Sequence, residues 1–323
     1  MDRYLITGAT GLIGSALIKK LIEENSIVYA LIRNEEKAKH IFKDCNSENL
    51  KFIISDITEL QPKDLGIEYI IHAASETSSK SFVNKPIETI NTAIKGTTNI
   101  LEFAKANPIK SFVYLSSMEV YGTPLTDEKI YENHGTSLDT MAVRSCYPES
   151  KRMCENICTS YFSEFGIPVK VVRLTQTFGE GVAYNDGRVF AEFSRCAIEE
   201  KNIILKTKGE TKRNYLYLQD AVSAILTVLY KGENGNAYNA ANEETYCSIY
   251  EMAKMIAEKC ADNKIDVIIE EQTDLSRFGY APTLKMNLST EKLKSLGWRA
   301  EKNLEEMFRI MIEDMKKLSV EAK

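Results

Sequence analysis

Tyr147-Pro148-Glu149-Ser150-Lys151 sets a phenol and an ammonium four residues apart, on one face of a helix. Pro148 is tolerated in a first helical turn, so the helix is expected to begin just before it. A tyrosine with an ordinary pKa of about 10 is a poor base at neutral pH, and a neighbouring ammonium favours its phenolate. Lys151 is therefore the expected activator of Tyr147, in a pair suited to moving a proton. Upstream, Ser116-Ser117-Met118-Glu119-Val120-Tyr121-Gly122 places hydroxyls and a carboxylate at the end of an expected strand.

The N-terminus carries a second kind of chemistry. A strand over 4–7 runs into Gly8-Ala9-Thr10-Gly11-Leu12-Ile13-Gly14, and an amphipathic helix starts at Leu12. Gly8 permits a tight turn, Gly11 lets backbone N–H groups approach a pyrophosphate, and Gly14 allows close packing of helix on strand. Gly8, Thr10, Gly11, Leu12, Ile13 and Gly14 are the expected dinucleotide-binding residues. The second strand would end in Asp or Glu for a ribose 2′-hydroxyl, but Arg33 stands there, 19 positions after Gly14. A guanidinium suits a 2′-phosphate, so NADP(H) is favoured over NAD(H). The alternative has Arg33 stacking on adenine, with Glu35 or Glu36 reaching the ribose. Asp56, followed by Ile57, is placed to meet the adenine amine.

These residues need a scaffold that brings strand ends together. Strands are expected over 4–7, 27–32, 51–55, 69–72, 112–116 and 169–174, with helix-period segments between them. That alternation predicts an α/β fold, a Rossmann-type doubly wound parallel sheet with a smaller, interleaved C-terminal substrate lobe. The dinucleotide-binding domain is expected over 1–176 plus about 212–242, and the substrate lobe over about 177–211 plus 243–323. Within them, a helix over 189–200, a β segment over 203–206, and a helix over 221–230 and strand over 237–239 returning to the sheet are expected. From Ser248 onward the chain reads as helices and short loops, ending in a charged helix over 303–317.

Composition bounds the function. The 323 residues, 44% apolar and 27% charged, suit a globular protein. A net charge of −5 without a long basic block gives no reason to expect nucleic-acid binding. The longest apolar runs fall short of the roughly 20 residues that cross a bilayer, and no signal-like segment opens the chain, so a cytoplasmic enzyme with no membrane partner is expected. Seven cysteines without a Cys-x-x-Cys pair, and three histidines, predict reduced thiols and no metal site.

The chain resembles the extended short-chain dehydrogenase/reductase family of nucleotide-sugar epimerases, dehydratases and decarboxylases. The resemblance rests on Thr7-Gly8 to Gly14, His72-Ala73-Ala74, Gly96-Thr97, Ser116-Ser117 to Tyr121-Gly122 and Tyr147 with Lys151. Arg213, Tyr217 and Asp220, and Leu296-Gly297-Trp298, add to it. It implies that Ser117 hydrogen-bonds the reacting sugar oxygen, Tyr147 moves its proton, and Lys151 holds the nicotinamide ribose while hydride passes at sugar C4. It implies further that His72, Ala73 and Ala74 border the cofactor, and that Arg213 grips a substrate diphosphate. A homodimer through helices around 87–106 and 148–165 is also implied.

Local resemblance is closer to UDP-glucuronate decarboxylases, through Arg144-Ser145-Cys146-Tyr147, Thr177-Phe178-Gly179, Asn185-Asp186-Gly187-Arg188-Val189 and Pro86-Ile87-Glu88-Thr89. Arg188, Val189 and Gln176 thereby become expected substrate-binding residues, and Glu119 a catalytic group near the C5 substituent. Met118 stands where 4,6-dehydratases carry an acid. Gln176 and Ala93 replace family asparagines, and Tyr280-Ala281-Pro282-Thr283, with Arg277 nearby, replaces an Arg-x-Pro-Asp segment. Epimerisation, decarboxylation and dehydration of a nucleotide-diphosphate sugar all stay open. So do an NADPH-dependent reductase of a 4-keto sugar or other carbonyl and a non-catalytic NADP-binding sensor.

Overall fold

The computed structural model describes residues 1–45, 48–272 and 283–321. Strands β1 (Arg3–Thr7), β2 (Ile27–Ile32), β3 (Leu50–Ile54), β4 (Tyr69–His72), β5 (Ser111–Ser117) and β6 (Val169–Leu174) form where the apolar runs predict them. Helices α1 (Leu12–Glu23), α2 (Glu35–Ile41), α3 (Ser79–Asn84), α4 (Pro86–Lys105) and α5 (Cys146–Phe165) lie between them. Local chemistry sets their ends. The Asn34 side chain accepts from the Lys37 N–H at the start of α2, Pro86 occupies the first turn of α4, and Gly166 closes α5 at φ +70°.

Further along come β7 (Gln176–Phe178), α6 (Val189–Glu199), β8 (Ile203–Leu205), β9 (Lys212–Tyr217), α7 (Leu218–Lys231), β10 (Ala237–Ala240) and β11 (Asn242–Ser248). The chain continues through α8 (Ile249–Met255), β12 (Val267–Ile269), β13 (Lys285–Met286), α9 (Glu291–Ser295) and α10 (Leu304–Glu321). The strand expected over 237–239 is β10, which returns to the sheet beside β6, and the seven-stranded parallel sheet runs β10-β6-β5-β4-β1-β2-β3. One expectation is corrected: the tail contains β12 and β13 as well as helices. β9 pairs with β7, β11 and β13, while β8 pairs with β12. These strands are two to seven residues long and take their order from distant partners, which local periodicity does not reveal.

Apolar side chains cover both faces of the sheet. Leu17, Ile71, Val113 and Val222 belong to one cluster, and Leu5, Ile70, Phe103 and Cys154 to the other. A third cluster, with Phe178, Phe190, Tyr215, Met252 and Phe308, lies under the later strands. Two late motifs tie the tail down. The Trp298 indole N–H donates to Ser223 Oγ at 2.9 Å, and the Asp220 carboxylate accepts from the N–H groups of Glu301 and Lys302. Asp220 is thus a structural anchor. Among the described residues no helix is long and apolar enough to cross a membrane.

The strand order reverses between β1 and β4, which opens a crevice at their carboxyl ends. His72 fastens that crevice from below. Its Nδ1 meets Thr7 Oγ1 at 2.7 Å and its Nε2 meets Thr97 Oγ1 at 3.2 Å, and it is 2% exposed. Burial, with the Lys151 charge nearby, pushes the imidazole down to about 3. An unfolded chain takes up a proton at His72 below pH 6.5 that the folded chain refuses until about 3, so stability is lost as pH falls through that window. Between pH 7.5 and 5 this one group is expected to remove about 2 kcal/mol. Thermal unfolding of the His72→Gln protein should lose correspondingly less over that range, and parallel losses in both proteins would contradict the assignment.

Candidate active site

Gly8 enters the turn after β1 at φ +65°, and a Cβ there would lie 2.7 Å from the Ala73 carbonyl carbon at the end of β4. The two strand ends therefore touch backbone to backbone. A Cβ at Gly14 would strike the Gly8 carbonyl, so α1 lies directly on the turn. Gly11 caps α1 without a side-chain bond, which leaves the first-turn N–H groups facing the crevice. Gly8, Thr10, Gly11, Leu12, Ile13, Gly14, Ala73 and Ala74 all line one cavity of about 500 Å³. The Ala74 N–H is held by Thr7 Oγ1 at 3.0 Å, and Ile57 packs on Gly96, where a Cβ would meet it at 3.0 Å. This cradle fits a dinucleotide: uncapped helix N–H groups for a pyrophosphate, and no Cβ where its backbone must come close.

The far end of the cavity carries Arg33 and Lys37. Asp56 lines the cavity as well. Its Oδ1 accepts from the Thr58 N–H and hydroxyl, its Oδ2 lies 3.6 Å from Arg33, and these contacts hold the carboxyl below the usual range. It caps its own turn. Glu35 and Glu36 turn outward to Lys39, at 3.0 and 3.7 Å, so neither supplies an acid to the cavity. Lys37, in the first turn of α2, is a rim cation that no sequence motif singled out.

Tyr147 and Lys151 emerge from the first turns of α5 onto the end of β5, where Ser117 ends the strand. Both side chains are buried, at 9% and 4% exposure. Burial pushes the Tyr147 phenol well above the usual range. Glu119 adds to that rise, while the Ser117 hydroxyl and the Arg144 charge oppose it. Lys151 Nζ lies 5.9 Å from the centre of the Tyr147 ring, near enough for its charge to favour the phenolate. Its Nζ donates to the Leu115 carbonyl at 2.8 Å and sits 4.9 Å over the Tyr114 ring, and burial lowers its pKa to about 8. The β5 carbonyl captures the amine because an ammonium buried there needs an acceptor. Phe82 of α3 stacks on Tyr147 with ring centroids 4.2 Å apart. No sequence motif marked this contact. Cys146 Sγ donates to the Phe82 carbonyl, and Cys154 and Cys158 are core residues.

A second cavity of about 520 Å³ opens beside the first, and Ser79, Met118, Glu119, Gln176 and Arg188 border both. Val189, Arg144 and Arg213 line the second cavity, with the Arg213 Nε buried and unpartnered. Arg188 is held by Asp186 at 2.6 Å and lies over the Phe190 ring. Glu119 is at the junction, yet it is not a free carboxylate. Arg144 grips it with both terminal nitrogens, Nη1 to Oε2 at 2.9 Å and Nη2 to Oε1 at 3.2 Å. Arg277 and residues 280–282 lie outside the described residues, while Thr283 lines the second cavity.

Chemically, this is a phenol, a hydroxyl and an amine gathered where a dinucleotide cradle meets an arginine-bearing cavity. Residues 4–241 match the model of the NAD dependent epimerase/dehydratase family. The chain is 30% identical over 307 residues to UDP-glucuronic acid decarboxylase 1 of Xenopus tropicalis, covering 94% of this chain and 70% of that protein. It is 28% identical over 316 residues to UDP-glucuronic acid decarboxylase 6 of Arabidopsis thaliana, covering 97% of this chain and 89% of that one. A solved variant of UDP-glucuronic acid 4-epimerase from Bacillus cereus, bound to UDP-4-deoxy-4-fluoro-glucuronic acid and NAD, superposes with a TM-score of 0.82. That likeness covers 98% of this chain and 99% of the other at 19% identity, and concerns the fold. The glycine cradle, the Ser117, Tyr147 and Lys151 constellation and the family match agree: the chain belongs to the NAD-dependent epimerase/dehydratase family.

Proposed function

We propose that this enzyme oxidises a UDP-uronate at sugar C4 and then releases its C5 carboxylate as CO₂. The observation that carries this reading is the meeting of Ser117, Tyr147 and Lys151 in the first cavity, next to Met118 and Glu119, which border the second as well. Tyr147 takes the proton of the C4 hydroxyl, and Ser117 hydrogen-bonds the same oxygen. Lys151, with one N–H spent on Leu115, keeps two donors for a ribose hydroxyl. When bound, the nicotinamide supplies the acceptor for the C4 hydride and returns it after the carbon chemistry.

Oxidation at C4 turns the substrate into a β-keto acid. The C5–C6 bond breaks, its electron pair passes into an enolate whose oxygen Ser117 and Tyr147 hold, CO₂ leaves, and C5 takes up a proton. Met118, 3% exposed, offers no acid for the alternative departure of a C6 hydroxyl. The names of the curated relatives support the same outcome.

For the cofactor, the reading is NADP(H). Arg33, 78% exposed at its side chain, and Lys37 place two cations where a 2′-phosphate would lie, and Glu35 and Glu36 are engaged elsewhere. For assembly, it is a homodimer through α4 and α5, which pack together and leave Ile87 and Met153 outward at 67% and 50% exposure.

Four experiments test these statements. Incubated with UDP-glucuronate, the protein should yield CO₂ and the corresponding UDP-pentose by NMR without net nicotinamide consumption. Steady NADPH loss on simple ketones with no sugar conversion would support the carbonyl-reductase reading instead. Tyr147→Phe should lower turnover about 10²- to 10⁴-fold, the usual range for a general acid-base group. Arg33→Ala should weaken NADP far more than NAD in equilibrium titrations, and equal losses refute the 2′-phosphate role. Sedimentation at the monomer mass would contradict the dimer.

A further inference from the structure

Arg144 makes a bidentate pair with a carboxylate inside the substrate cavity, and the carboxylate is the protein's own Glu119. Burial acts against this guanidinium's charge, but Glu119 outweighs it and keeps the group firmly protonated. The pair is not sealed in the core, since the two side chains keep 23% and 21% exposure. The Arg144 Nε is nevertheless buried without a partner, so the fork's donors are not all used. The guanidinium carbon lies 5.8 Å from the centre of the Phe82 ring, and Phe82 stacks on Tyr147. Arg144, Phe82 and Tyr147 therefore form one continuous layer beside the reacting position.

We infer that Arg144 is the specificity-determining residue for a negatively charged C5 substituent, and that the substrate's carboxylate displaces Glu119 from it. This rests on the uronate reading above. The geometry required by the arriving group is the one Glu119 already satisfies: a planar carboxylate accepting two parallel N–H bonds. Tyr147 acts at C4, and C5 is the adjacent carbon. A substituent on C5 thus has Arg144 within the same layer that positions the phenol. Glu119 stands in for the ligand when no uronate is bound, which spares Arg144 an uncompensated charge. A neutral C5 substituent has nothing to exchange for that pair and leaves it closed.

The test is an equilibrium titration of UDP-glucuronate and UDP-glucose, with Tyr147→Phe as the common background to prevent turnover. The intact pair should bind UDP-glucuronate more tightly than UDP-glucose. Adding Arg144→Gln should weaken UDP-glucuronate roughly ten- to hundredfold, the range for a charge-assisted hydrogen-bonded pair, and change UDP-glucose by less than about threefold. Arg144→Lys, which keeps the charge without the fork, should recover part of the preference. Glu119→Gln should tighten UDP-glucuronate, because the competing carboxylate is gone.

Equal weakening of both ligands by Arg144→Gln, or weaker UDP-glucuronate binding in Glu119→Gln, overturns the exchange and leaves Arg144 a purely structural partner. Equal affinity for both ligands in the intact pair also overturns it, while leaving the nucleotide-sugar reading standing. Binding of neither ligand overturns that broader reading and this one together.

Discussion

The contact between the β1 turn and the end of β4 is the constraint on which the site depends. Gly8 can lie against the Ala73 backbone only because it has no side chain, and Gly14 must lack one for α1 to lie on the turn. That closeness aims the uncapped N-terminus of α1 into the crevice created by the strand-order reversal. His72, neutral and bonded on both ring nitrogens, links the ends of β1 and β4 to α4. A dinucleotide lying there is carried towards the end of β5, where Ser117, Tyr147 and Lys151 gather. The net charge of −5 is no obstacle to two diphosphate ligands, because helix N–H groups and a few arginines concentrate positive potential locally.

Burial does the second part of the work. It raises the Tyr147 phenol and lowers the Lys151 ammonium, so each is shifted towards its neutral form. Glu119, Arg144 and Lys151 are the charges that surround the phenol. Glu119 raises the phenol further while Ser117 and Arg144 oppose that rise, so its basicity depends on the groups beside it. A site tuned this way responds to the charge of its substrate, and the Arg144 and Glu119 pair is where that response is proposed to begin.

Much of this was legible in the sequence, for a physical reason. The strands of the cofactor lobe are continuous apolar runs separated by helical periods, and glycine spacing is imposed by backbone contact, so both leave local marks. The second lobe left fewer. β9 was visible only as the Arg213 to Asp220 motif, because its strand character depends on β7, β11 and β13, which come from other parts of the chain. Asp220, the last residue of that motif, is a tail anchor. Glu119 and Arg144 were each singled out, but their pairing spans 25 residues and has no periodic signature. The Lys151 bond to the Leu115 carbonyl was equally hidden, since a backbone acceptor carries no residue identity.

In the proposed chemistry the sugar is oxidised at C4 by loss of a hydride that later returns to the same carbon. The most direct measurement uses UDP-glucuronate deuterated at C4, with NMR and mass analysis of the product after many turnovers. A primary isotope effect on turnover and deuterium retained at C4 of the product are expected. Product formed without an isotope effect and with hydrogen from solvent at C4 would contradict that chemistry.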